Sequence, residues 1–240
     1  DITLVDDMSF GHEDNLIVNG EKFGTFFKYD VRDKNISEII SENEIIYHFA
    51  GISSLPVCQE EPCRAMDVNL QGTINVLEAC RKQKIKKFIC ASTSAIYENN
   101  TLFPTTDIDT LNPPHLFYSQ SKWFAEEVCR SYYKLYKMPI SIMRFFNVYG
   151  PHQDFRRLSP PFLGYVIKCF LNNEVPILHS TGQQKRDYIF VNDLIELLEI
   201  VTFSDNTNGE SINACSGNNY SVNELYELIS KEFPEKNIQP

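Results

Sequence analysis

Lys87-Phe88-Ile89-Cys90-Ala91-Ser92-Thr93-Ser94 holds five residues of a short apolar strand that runs straight into three hydroxyl side chains. An uninterrupted apolar run of this length is expected of a strand covered on both faces, the situation of a parallel sheet flanked by helices. Open parallel sheets place ligands at the carboxyl ends of their strands, which is where Ser92, Thr93 and Ser94 fall. A turn merely rich in Ser and Thr would read the same. Working outward, further apolar strands at Leu4-Val5, Ile46-Tyr47 and 140–146 alternate with helical patterns. The clearest helices are 67–82, with Val68, Ile74 and Leu77 at helical spacing, and 119–136, with Trp123, Val128 and Tyr132. Residues 187–200 read as a strand and a helix, and Val222–Lys231 as a further helix. Such alternation implies an α/β fold with a parallel sheet and crossover helices.

Tyr118-Ser119-Gln120-Ser121-Lys122 opens the second of these helices, and a Tyr and a Lys four apart on a helix share a face. A phenol, whose ordinary pKa is about 10, becomes a useful base near neutrality only beside a cation that stabilises its phenolate. Lys122 is placed to be that cation. A Tyr packing on a Lys stem is the bland alternative, but hydroxyl, phenol and ammonium follow one another in the order of a proton relay, with Thr93 to orient a substrate oxygen.

Other segments carry a resemblance. Leu4-Val5-Asp6-Asp7-Met8-Ser9, Tyr29-Asp30-Val31-Arg32-Asp33, Ile46-Tyr47-His48-Phe49-Ala50-Gly51, Asn69-Leu70-Gln71-Gly72-Thr73, Arg144-Phe145-Phe146-Asn147-Val148-Tyr149-Gly150-Pro151 and Gly182-Gln183-Gln184-Lys185-Arg186-Asp187-Tyr188 occur in that order. Together with the Thr93, Tyr118 and Lys122 set they resemble the extended short-chain dehydrogenases/reductases that act on nucleotide sugars, the epimerase/dehydratase group. The resemblance implies a Rossmann-like doubly wound parallel sheet over 1–150 and a smaller nucleotide-sugar lobe over 151–240, with 187–200 packing back on the first domain. It implies Thr93, Tyr118 and Lys122 as catalytic residues. It further implies an NAD site formed by Asp6, Asp30, Val31, Phe49, Ala50, Gly51 and Asn69 with Tyr118 and Lys122, and a substrate site at Thr93, Asn147 and Arg186.

The residue chemistry agrees. A carboxylate at the end of a strand, as at Asp6, can accept both hydroxyls of an adenosine ribose and repel a 2′-phosphate, which favours NAD over NADP. Arg186 suits a bidentate grip on a diphosphate, or it is a surface partner of Asp187. Asn147 could hydrogen-bond the sugar or cap its turn. Asp30 could accept from adenine or simply begin a loop. The chain opens on what resembles the family's second strand, so the first strand and its G-x-x-G-x-x-G phosphate turn are missing from it. The segment 233–240 likewise stops where family members continue. These 240 residues are therefore expected to be part of a longer polypeptide, inactive and poor at holding NAD when taken alone.

Composition narrows the partners. A formal charge of −10 without a Lys/Arg run disfavours nucleic acid, and the composition, 42% apolar, suits a packed core. Seven cysteines without a C-x-x-C pair suggest reduced thiols in the cytoplasm, and five scattered histidines argue against a metal site. No apolar run reaches the ~20 residues that span a bilayer. Homodimerisation through 67–82 and 119–136 is implied by the family alone.

The residues after Thr93 discriminate among reactions. Family 4,6-dehydratases carry Asp-Glu there and sugar-acid decarboxylases keep the Glu, whereas this chain has Ser94 and Ala95. What remains suffices for reversible oxidation, so a 4-epimerase of the UDP-glucose/UDP-galactose kind is expected. A reductase, a decarboxylase or a noncatalytic scaffold descendant are the alternatives. Three departures touch the substrate: Glu98 where Gly commonly follows Val-Tyr, Phe117 where many relatives have a small residue or Pro, and His179-Ser180-Thr181 before Gly182.

Overall fold

The computed structural model describes residues 1–100, 112–157, 159–178 and 181–236; Pro104, His179, Ser180 and residues 237–240 lie outside these. The chain divides into two compact units, residues 1–145 with 197–214, and residues 146–196 with 215–240.

The first unit begins with β1 (Thr3–Asp6), then β2 (Ile17–Val18) and β3 (Glu21–Lys22), an antiparallel hairpin, then β4 (Thr25–Lys28). The hairpin turns through Asn19 and Gly20, both at positive φ (53° and 85°), the pair of conformations that a two-residue turn between twisted strands demands. β1 pairs with β4 in parallel, with Thr3 opposite Thr25 and Asp6 opposite Lys28. After α1 (Ile36–Ile40), β5 (Ile45–His48) enters a four-stranded parallel sheet. Its members are β5, β6 (Lys87–Thr93), β7 (Ile140–Phe145) and β10 (Ser211–Ala214), in the order β10-β7-β6-β5. Helices α2 (Leu55–Glu60), α3 (Pro62–Met66) and α4 (Gly72–Gln83) connect β5 to β6, and α5 (Phe117–Tyr136) connects β6 to β7.

All seven residues of β6 are buried, the physical basis of its uninterrupted apolar reading. One core joins Leu77 and Cys80 of α4 and Cys129 of α5 to Phe88, Ile140 and Ile142 of the sheet. Both helices stop on a lysine in the left-handed conformation, Lys84 (φ 56°) and Lys137 (φ 57°). The residues that follow, Ile85 and Met138, are buried, and their return to the core offsets the roughly 1–2 kcal/mol that a non-glycine residue costs there. Between α3 and α4 the chain takes a π-helical turn, Asp67–Gln71, which adds a residue to the turn and re-aims its side chains.

Among the described residues, β1 and β5 each pair along one edge only. Both strands line one cavity of about 760 Å³.

The second unit contains β8 (Asn147–Tyr149), α6 (Phe162–Asn172), β9 (Lys185–Phe190), the first half of α7 (Val191–Thr202), β11 (Asn219–Ser221) and α8 (Val222–Lys231). β9 is central, parallel to β8 and antiparallel to β11. Ser221 and Glu224 close a reciprocal capping box at the start of α8. Phe170 of α6 stacks on Phe233 and packs on Tyr226 of α8.

Candidate active site

Thr93 ends β6 and begins a 3₁₀ turn, Ser94–Tyr97. Its Oγ1 accepts the Ala95 N–H at 3.1 Å, which occupies a lone pair and leaves the hydroxyl hydrogen for a ligand oxygen. Thr93 is itself buried, at the carboxyl end of β6.

Tyr118 and Lys122 lie one turn apart on α5. Lys122 is buried, and its Nζ donates to the Ala91 carbonyl of β6 at 3.0 Å. Burial lowers its pKa, against the opposing pull of the neighbouring Cys90, Cys129, Cys58 and Glu126. Half-buried Tyr118 packs beside Ile52, Cys58 and Ala65. Ser121, between the two, donates from Oγ to the Tyr118 carbonyl at 2.7 Å.

Asn69 stands on the π-helical turn, fully buried. Its Oδ1 accepts the Ile52 N–H at 2.7 Å, and its Nδ2 donates to Ile52 O at 3.0 Å and Ser121 Oγ at 2.9 Å. The amide is thus committed to the chain, and what it contributes is the shape of the turn 50–52 and that turn's attachment to α5. Gly51 shows why the turn needs a glycine: a side-chain carbon there would lie 2.9 Å from Asn69 Oδ1 and 3.2 Å from Lys122 Nζ. A glycine therefore leaves room for the Lys122 ammonium beside the turn.

His48, just before this turn, is buried, and its pKa falls to about 3, first through burial and then through the charge of Lys122. It stays neutral near pH 7. Thr73 spends its one hydroxyl hydrogen on Asn69 O (2.6 Å), so His48 Nε2, 2.9 Å from Thr73 Oγ1, carries the proton and donates. His48 braces the π-helical turn and performs no acid/base work.

The 760 Å³ cavity gathers Asp6, Asp30, Val31, Phe49, Ala50 and Gly51 on its walls. Asp6 is exposed at the carboxyl end of β1, where its Oδ1 accepts the Met8 N–H at 2.6 Å. Asp30 uses both oxygens on Arg32, whose Nη1 also reaches Asp67 Oδ2 at 2.7 Å. The Arg32 hydrogen bonds hold the Asp30 carboxyl below its usual range. An adenine amino group at Asp30 must therefore share an oxygen with Arg32. Val31 is tied down by Asn75, whose amide donates to its carbonyl at 2.7 Å.

Asn147 and Arg186 belong to the second unit. The Asn147 amide donates one of its two N–H groups to Asp187 O of β9 at 2.7 Å. Arg186 is exposed, with Nη1 on the Lys185 carbonyl at 2.8 Å.

A buried ionic cluster lies below the relay. Glu126, four residues after Lys122 on α5, accepts both arms of Arg144 (Nε 3.0 Å, Nη2 2.8 Å), Arg130 Nη2 at 2.7 Å and the Ser92 hydroxyl. Arg144 Nη1 donates to Tyr97 Oη at 2.7 Å, and Tyr97 donates to Asn213 Oδ1 at 2.8 Å. The four-residue repeat Tyr118, Lys122, Glu126, Arg130 was the available signal for this stripe. Sequence reading stopped at its first two members. Among the described residues no helix is long and apolar enough to cross a membrane, and no cluster of side chains could hold a metal ion.

Known proteins point the same way. The model of the NAD dependent epimerase/dehydratase family matches residues 2–215. A putative UDP-glucose 4-epimerase of Methanocaldococcus jannaschii is 32% identical over 236 residues, 97% of this chain and 74% of the relative. The dTDP-D-glucose 4,6-dehydratase of Dictyostelium discoideum is 30% identical over 226 residues, 89% of this chain and 49% of the relative. The crystal structure of the UDP-glucose 4-epimerase of Thermotoga maritima with UDP-glucose superposes with a TM-score of 0.91 at 28% identity, over 99% of this chain and 76% of that one. The chain thus spans about half to three quarters of the length of these relatives. With the matched segments, the parallel sheet and the hydroxyl, phenol and ammonium side chains at its carboxyl end all in agreement, the chain belongs to the NAD dependent epimerase/dehydratase family.

Proposed function

We propose that the protein is a nucleotide-sugar 4-epimerase, with UDP-glucose and UDP-galactose as the first pair to try. The observation that carries this reading is the turn after Thr93, where Ser94 and Ala95 put no carboxylate beside the relay. Eliminating water requires a further acid and base; reversible oxidation of a secondary alcohol requires one group that takes the hydroxyl proton and gives it back.

Tyr118 is that group. As a phenolate stabilised by Lys122 it takes the C4 hydroxyl proton and becomes the phenol, and Thr93 donates a hydrogen bond that holds the reacting oxygen. Once the sugar presents its other face, the phenol gives the proton back to the C4 oxygen and the alcohol is restored. Residues on this chain fit NAD at both ends: Asp6 would accept the adenosine ribose hydroxyls, Phe49, Ala50 and Gly51 would line the floor, and Lys122 would donate to the nicotinamide ribose. NAD, when bound, supplies the hydride acceptor and donor chemistry. Asn147 and Arg186 are the proposed contacts for the sugar and its diphosphate.

The test is product analysis with NAD and each nucleotide sugar. Interconversion of C4 epimers without net reduction of NAD is expected; accumulation of a 4-keto-6-deoxy sugar, or loss of CO₂ from a uronic acid, would replace the reading with dehydratase or decarboxylase. We also propose a cytoplasmic homodimer through α4 and α5. The free state of all seven cysteines and the exposed Phe124, Leu135 and Tyr136 of α5 support it, and a native mass equal to a single chain would refute the dimer.

A further inference from the structure

Leu116, the residue that caps α5, has no side-chain acceptor, and the first turn of this 20-residue helix contains no acidic residue. Helix starts of this kind leave several N–H groups without partners and their partial positive charge without a counterweight. Here the partners come from elsewhere in the chain. Glu98 directs Oε1 at the N–H groups of His115 and of Leu116 (2.9 Å), and Oε2 accepts the Ser119 hydroxyl at 2.8 Å. Gln59 of α2 takes the Phe117 N–H at 3.2 Å. One carboxylate, 17 to 21 residues away along the chain, therefore fastens the two amides that lead into α5 and the hydroxyl of Ser119 in its first turn, while the first amide of the helix itself, Phe117 N–H, goes to Gln59.

The same glutamate closes the 3₁₀ turn that starts at Thr93, with its own N–H on Ala95 O at 3.1 Å. It stands five positions after Thr93, and the residues it grips flank Tyr118. We propose that Glu98 is a positioning residue that sets Tyr118 relative to Thr93 by capping α5 from outside the helix. This rests on the epimerase reading for its catalytic consequence, though not for the clamp itself. Glu98 stands where the family resemblance implies a glycine, and its carboxylate supplies polar contacts that the apolar Leu116 cannot.

The experiment compares Glu98→Ala and Glu98→Gln with the parent protein by steady-state kinetics and by hydrogen exchange at the amides of residues 115–119. A 1 Å displacement of a reacting group can cost on the order of 100-fold in rate. Glu98→Ala is expected to lower kcat by about ten- to a hundredfold on that scale, to leave KM for the nucleotide sugar within about threefold because no contact to substrate is removed, and to speed exchange at residues 115–119. Glu98→Gln keeps an oxygen for the two N–H groups and is expected to recover most of kcat and most of the protection. Unchanged kcat in Glu98→Ala overturns the positioning role, and a fall in kcat with unchanged exchange overturns the capping account. Should Glu98→Ala fail to fold, Glu98→Asp, one methylene short, is expected to give intermediate exchange; parent-like exchange there counts against the clamp. The kinetics use the full-length polypeptide that carries this chain; if that protein turns over no nucleotide sugar the epimerase reading fails, and the exchange comparison then decides the clamp alone.

Discussion

Tyr118→Phe is expected to lower epimerase turnover by about 10²–10⁴-fold, the range that one positioned acid/base group contributes. The substitution removes a single oxygen from a half-buried side chain that rests on Ile52, Cys58 and Ala65, so the ring keeps its packing. Lys122 keeps its bond to the Ala91 carbonyl, and Thr93 keeps its turn. The loss should therefore fall on kcat, with KM for the sugar nearly unchanged, because an interaction made in the transition state has gone while ground-state contacts persist. Lys122→Met is the companion variant: it leaves the phenol in place and removes the cation that makes it a base near neutrality. Steady-state kinetics of both variants beside the parent decide the matter. Retention of a tenth or more of kcat in Tyr118→Phe would take the proton-transfer role away from this residue.

The proposed relay could be put forward from the sequence because it is a matter of local order. A strand that must be buried on both faces reads as an apolar run, the hydroxyls at its end follow directly, and a four-residue spacing on a helix fixes a shared face. Side chains whose partners lie far along the chain were not legible in the same way. Asp30 presents as a free acceptor until Arg32 and Asp67 are seen around it. Asn69 presents as a ligand until the π-helical turn hands its amide to Ile52 and Ser121. Glu98 was visible only as a mismatch, since its meaning lies in amides more than fifteen residues away. The path of the chain is likewise nonlocal: β10 comes after the second unit has begun, yet it pairs with β7, Ser211 opposite Ile142 through Ala214 opposite Phe145.

Glu126→Ala should be the most destabilising single change in the first unit, costing about 3–5 kcal/mol, the toll of stripping a buried ion pair of one partner. Glu126 is fully buried and Arg144 nearly so. Burial works against the charge of Arg144, yet its hydrogen bonds to Glu126 and that carboxylate's charge leave the guanidinium pKa raised. Truncation at 126 would strand this cation in the core, deprive Arg130 of one of its two carboxylate partners and leave the Ser92 hydroxyl without its acceptor. For a chain of this size, 1 kcal/mol moves the melting temperature by about 2–4 °C, so a fall of roughly 6–20 °C is expected by circular dichroism. The decisive control replaces both partners. Glu126→Leu with Arg144→Met removes the charges together and is expected to recover most of the loss, since apolar pairs of similar volume are often neutral or better at such positions. A double variant as unstable as the single one would mean that geometry, not charge, is what the pair supplies. That outcome would turn attention to Tyr97 and Ser92, which Arg144 and Glu126 hold on either side of Thr93, and to a role for the cluster in keeping the hydroxyl of the relay where Tyr118 can use it.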